Sequence, residues 1–200
     1  MKTTSIKQKL AGLLTGLTLV SAISLFSLSC TAQSIWETSE VKGRTSVFIS
    51  EKDGKDIRVR NRNYVDPRET RSQYDINRLD FSYVSLISYD PFLESFKKSF
   101  TPNRITQLAT TNDCIYIVFN IDEKGQILGI YFILDKGTTI LPEELEILER
   151  ELLSKVKFVV IGKKVEDLIF YRVPFWTRFT DVQNGEIRDV RNSVNLKTRY

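Results

Sequence analysis

Two apolar runs of period two, joined by four turn residues, constrain this chain more than any other feature. Ile115, Ile117, Phe119 and Ile121 alternate with Tyr116, Val118 and Asn120, and Leu128, Ile130, Phe132 and Leu134 repeat the pattern beyond Asp122-Glu123-Lys124-Gly125. Successive side chains of a strand point to opposite faces, so each run reads as a strand with one face for a core. Gly125 can take the positive φ that a tight turn demands, and the spacing predicts an antiparallel hairpin.

The next elements follow the same logic. Pro142 opens a helix with Glu143 and Glu144 in its first turn, where acids suit the helix dipole. Leu141 has no capping oxygen, so Thr138 or Thr139 is expected to supply one. Leu145, Leu148, Leu152 and Val156 recur at helical spacing as the buried stripe, which leaves Glu146, Glu149, Arg150 and Lys155 to water. A last strand is expected over residues 167–179. Pro174 within it lacks a ladder donor and points to a sheet edge or a bulge. After Thr180 the chain is polar, and Asn184-Gly185 either closes a small hairpin or lies in a loose tail.

Upstream, residues 45–49 and 57–60 flank Asp53-Gly54, a hairpin signal. Residues 33–43 are polar apart from Trp36 and read as a linker or frayed arm, residues 61–78 read as loop, and residues 79–89 fit strand or helix equally. Asp90-Pro91 and Thr101-Pro102 are helix starts, a capping side chain before a proline in each. Phe92, Phe96 and Phe100 recur every four residues as one apolar stripe, and Ile105 and Leu108 turn inward after it. Together these elements make an α+β fold, an antiparallel sheet with one or two helices packed on one face.

Residues 1–32 name a compartment. Lys2, Lys7 and Lys9 precede an apolar run from Leu10 to Leu28, which closes on Ser29-Cys30-Thr31-Ala32: the layout of a secretory signal peptide. Two endings are open. One is cleavage after Ala32; the other, placed slightly ahead, is lipidation of Cys30, because Leu28-Ser29-Cys30 resembles a lipobox although Ser27 stands where a branched apolar residue is usual. A diacylated N-terminus would tether the protein stably to a membrane. The expected location is the periplasm, the outer membrane or the cell surface, with membrane contact only through that anchor. Of the 29 basic residues, three lie in this leader, leaving 26 against 25 acids, a balance that argues against nucleic acid or any bulk polyanion.

The chain has no histidine, which excludes Ser-His-Asp and Cys-His triads and histidine zinc sites. Beyond the leader Cys114 stands alone, and an inert buried thiol is expected. Glu143, Glu144, Glu146, Glu149 and Glu151 read as a solvated helix face, not as an acid–base pair. No phosphate loop, nucleophile elbow or calcium loop occurs, so the expectation is no catalytic residue, no metal and no cofactor. Arg58, Arg60, Arg62, Arg68 and Arg71 form a basic stretch interspersed with Asp56, Asp66 and Glu69, which reads as solvated surface more than as a lipid or acidic-partner site. In the last strand Tyr171, Val173, Phe175 and Phe179 share one parity and fill the core. Arg172, Trp176 and Arg178 share the other and offer a platform for a partner, unless the Phe92–Phe100 helix covers that face.

The order hairpin, Pro-Glu-Glu helix, Val156-Lys157-Phe158, Gly162-Lys163 and closing strand across residues 114–179 resembles the TonB C-terminal domain superfamily, and within it secreted proteins of Gram-negative envelopes. Val159-Val160 replace the proline usual after the helix, and no long Pro-rich segment precedes the domain. The resemblance implies a β-β-α-β core that pairs an exposed strand edge with an extended partner segment. The organisation expected is a signal peptide over 1–32, an N-terminal hairpin and helical extension over 33–110, a TonB-C-like core over 111–180 and a polar tail over 181–200. The function expected is a non-enzymatic envelope interaction module. A hydrolase using carboxylates or a Ser–Lys pair, and a purely structural lipoprotein, are the alternatives.

Overall fold

The computed structural model describes residues 35–67, 84–160 and 170–187. Cys30, Arg68 and Arg71 lie outside them, as do residues 68–78 of the expected loop and the first residues of the expected last strand. Residues 34–200 form a compact unit of their own, and its buried hydrophobic core is drawn from between Trp36 and Val182.

The architecture is α+β. Strands β1 (Glu40–Lys42), β2 (Val47–Asp53), β3 (Asp56–Asn61), β5 (Cys114–Ile121), β6 (Ile127–Asp135) and β8 (Tyr171–Arg178) make one antiparallel sheet in the order β1-β2-β3-β6-β5-β8. The strands β4 (Val84–Leu86) and β7 (Phe158–Val160) pair separately as a short ribbon. The helices are α1 (Asp90–Ser99), α2 (Pro102–Thr110), α3 (Pro142–Lys155) and α4 (Phe179–Asn184). The hairpin–helix–strand order of residues 114–179 is present, with β8 laid beside β5. The N-terminal hairpin extends the same sheet, because β3 pairs with β6 from Asp56↔Asp135 to Arg60↔Tyr131.

One face of the sheet holds the core. Directly opposed residues share a face, and the rows Ile57–Leu134–Ile115–Thr177 and Val59–Phe132–Ile117–Phe175 run across it. The phenylalanine stripe of α1 packs here: Phe92 lies 5.1 Å from Phe175, while Phe100 meets Phe179 edge-on at 4.9 Å. Phe158 closes the cluster against Phe119 at 5.1 Å. Such pairs contribute about 0.5–1.5 kcal/mol each beyond the area they bury.

Several local expectations change. Residues 35–43 are no frayed arm: Trp36 is fully buried and donates its indole N–H to the Ile140 carbonyl at 2.7 Å. At α1 the N-cap is Tyr89, which makes no side-chain cap bond; Asp90 is already helical, and its N–H is accepted by the Ser88 hydroxyl at 3.2 Å. At α3 neither threonine caps the helix. Glu144 reaches back to accept the Leu141 N–H at 2.9 Å, and Thr138 instead receives the Ile140 N–H. Residues 179–184 are helical, and Gly185 ends α4 at φ 74° where a hairpin turn or tail was the expectation.

The β5–β6 hairpin carries one irregularity. Asn120 faces Gly129 and Ile121 faces Ile127, so Leu128 is an extra residue in a bulge. The bulge moves Leu128 off the core face, leaving it exposed, while Ile127 packs against the core.

Candidate functional site

All side chains of β8 with even numbers belong to the face away from α1. Arg172, Pro174, Trp176 and Arg178 stand opposite Asn120, Val118, Tyr116 and Cys114. The phenylalanine helix lies against the other face, so it does not cover them. Trp176 is 44% exposed, and the Arg178 guanidinium sits 4.6 Å from its ring centroid. Arg178 makes no ion pair among the described residues.

Arg172 does not join this platform. Its guanidinium lies 5.8 Å from the Tyr131 ring, whose surroundings also include Arg58 at 5.4 Å. Arg172 Nε and Nη2 are out of solvent and have no hydrogen-bond partner, and the Asn120 Oδ1 opposite is equally unpartnered. The three residues grouped by strand parity therefore divide into an exposed pair and an inward arginine. Arg58 and Arg60 are spent on Asp53 and Glu51 across the hairpin, and Arg62 on Glu40 of β1, so the basic stretch is largely neutralised where it is described.

Cys114 lies under this platform and is half-buried, not buried. Burial pushes its thiol up. A hydrogen bond from Trp176 opposes the rise, while the thiol donates towards Asp135 at 3.6 Å. Burial also raises Tyr116, and the neighbouring Tyr131 adds to the shift.

A second feature escapes a reading by helical period. Glu146 and Glu149, assigned to water by that reading, are each only 7% exposed, and Glu151 is buried as well. The polar segment after β3 and the loop after β1 fold against α3 and cover its supposed solvent face. Glu146 is a clamp: Arg44 and Thr45 donate backbone N–H groups to it, at 2.7 Å for Arg44, and the Thr45 hydroxyl adds a further bond. Burial pushes Glu146 up, but these hydrogen bonds outweigh it and hold the carboxyl below the ordinary value. Glu149 moves the other way. Burial raises it, the 3.0 Å bond from Asn61 Nδ2 only partly compensates, and the charge of Glu146 adds to the rise.

Glu149 borders a cleft of about 680 Å³ lined also by Asn61, Tyr64, Leu128 and Leu153. Tyr64 is held there by Gly129, since a Cβ at that position would lie 2.6 Å from the ring, and Asn120 Nδ2 donates to its hydroxyl. The glycine within an apolar strand is the sequence signal for this close approach. Among the described residues no group of three or more Cys, Asp or Glu side chains could hold a metal ion, and no helix is long and apolar enough to cross a membrane.

No family model and no curated protein matches the sequence. Among solved structures, a DUF5043 family protein from Bacteroides uniformis is similar in fold. The TM-score is 0.53 at 12% identity, over 74% of this chain and 95% of that one. At that identity the likeness is one of fold.

Proposed function

We propose that this chain is an exported, non-enzymatic interaction module of the cell envelope, and that its contact surface is the Trp176–Arg178 end of β8. The observation that carries the reading is the exposed indole under a guanidinium that has no ion pair among the described residues, on a face that the phenylalanine helix leaves uncovered. Tryptophan and arginine are the residues most often found at the energetic centre of protein contacts. An extended partner segment with an acidic side chain for Arg178 and an apolar one for Trp176 fits the pair.

The TonB resemblance favours strand addition at the β8 edge, and β8 has no second strand partner among the described residues. Pro174 stands in the middle of that edge, where its missing N–H removes one docking bond and blunts further pairing. The side-chain face is therefore the better surface. The leader supports export, with Cys30 as the residue to be lipidated.

A photo-crosslinking residue at position 176 tests the reading in cells, with position 136 as control. The expected result is a discrete adduct from position 176 that Arg178→Glu abolishes. Equal labelling from both positions overturns it, and an unprocessed chain in the cytosol overturns the location.

A hydrolase working through carboxylates is the second reading, and the raised Glu149 beside a cleft is on its side. Against it, the hydroxyl–carboxylate pair of Thr45 with Glu146 there holds its carboxylate below the ordinary range. A general base near neutrality needs the reverse.

A further inference from the structure

We infer that the outer face of the β4–β7 ribbon and the lysine groove beside it form a docking surface for an anionic lipid bilayer. The ribbon register places the apolar part. Leu86 faces Phe158 and Val84 faces Val160 on the buried side, so Ser85 and Val159 lie on the opposite side. The Ile87 N–H bonds the Lys157 carbonyl at 3.0 Å, which continues the pairing and sets Ile87 and Lys157 on that same outer side. Ile87 is 63% exposed, Val159 41% and Tyr89, two residues on, 38%. Three of the large exposed apolar side chains of this fold thus gather around one short ribbon.

The charge beside them leans basic, although Glu151, paired with Lys155 and attracted also by Lys98, offsets part of it. A groove of about 740 Å³ between α1 and the end of α3 is lined by Lys97, Lys98, Lys155 and Lys157, against Asp90 and Glu94. Lys97 is paired with Glu94 at 2.9 Å and Lys155 with Glu151 at 2.7 Å. Lys98 and Lys157 make no ion pair among the described residues. Lysine is a compact, hydrated charge that suits lipid phosphates, and it is depleted in protein contacts, where arginine is enriched. Exposed isoleucine and valine between such lysines, with a tyrosine at the margin, match what sits at a headgroup boundary. The sequence alone suggests membrane contact only through Cys30; this surface adds a second attachment, independent of the acyl chains. It shares no residue with the β8 platform and does not depend on it.

The test uses residues 34–200, the compact unit that holds its own core, in flotation with phosphatidylcholine vesicles with and without about 30% phosphatidylglycerol. The expected result is binding to the anionic vesicles alone, falling as salt rises. Lys98→Gln with Lys157→Gln weakens partition about 25-fold, at roughly fivefold per lysine. Ile87→Ser with Val159→Ser weakens it at every salt concentration, and Lys136→Gln changes nothing. Each variant is first shown to melt like the wild type, and a variant that does not is replaced by its single substitutions. Equal affinity for neutral vesicles, no binding, or an unaltered lysine double variant overturns the inference. Displacement by inorganic phosphate without any effect of Ile87 and Val159 would assign an isolated anion site and overturn it as well.

Discussion

Gly129→Ala isolates the contact that closes one side of the cleft. Alanine in a strand interior is ordinarily better than glycine by about 0.5–1 kcal/mol. Here the added Cβ would lie 2.6 and 2.7 Å from two carbons of the Tyr64 ring, and the third-nearest atom, at 3.9 Å, belongs to Tyr64 too. The ring must retreat by roughly 1 Å to reach ordinary contact. That retreat costs the bond between Asn120 Nδ2 and the Tyr64 hydroxyl, and Asn120 is fully buried with its Oδ1 already unpartnered. Orphaning the buried amide costs about 1–3 kcal/mol. Weakening the Tyr64–Tyr131 edge contact at 6.3 Å adds about 0.5–1.5 kcal/mol. Set against the strand preference, the net destabilisation is about 1–4 kcal/mol. The decisive measurement is a double-mutant cycle with Tyr64→Ala, by urea denaturation followed through tryptophan fluorescence. Without the ring the substitution meets nothing, so Gly129→Ala becomes neutral or slightly stabilising and the coupling is about 2 kcal/mol. An equal cost in both backgrounds would refute the reasoning.

Four further outcomes are expected. Glu149, raised above the ordinary 4.5, contributes stability that is present below that value and lost as pH rises through its folded value, so Glu149→Gln melts higher than wild type at pH 7 and level with it near pH 4. Glu146, lowered, contributes stability above 4.5 that is lost as pH falls through its folded value, so Glu146→Gln costs about 2 kcal/mol at pH 7 and progressively less in acid. The two variants showing the same pH profile would contradict both assignments. Gly125→Ala, at φ +83° with a Cβ 2.4 Å from the Phe158 carbonyl oxygen, lowers stability by about 2 kcal/mol or more, read from the urea midpoint at unchanged slope. Cys114, its thiol raised by burial, reacts with iodoacetamide at pH 8 more slowly in the folded than in the unfolded chain; equal rates would contradict it.

The sequence by itself determined the elements whose signal is local. Alternation at 115–121 and 128–134, the prolines at 91, 102 and 142 and the Leu145–Leu148–Leu152 stripe are each readable because strand and helix periods act within a few residues. The parity of β8 was legible for the same reason, and with it the exposed Trp176 and Arg178. Only the tertiary structure decided which side of α3 meets water, since Glu146 and Glu149 are buried by segments 102 and 88 residues earlier in the chain. It also decided that Arg172 turns in over Tyr131, that one extra residue rotates Leu128 out of the core, and that the N-terminal hairpin joins the main sheet through β3. These are contacts between elements distant in sequence, and local period carries no information about which distant surfaces will meet.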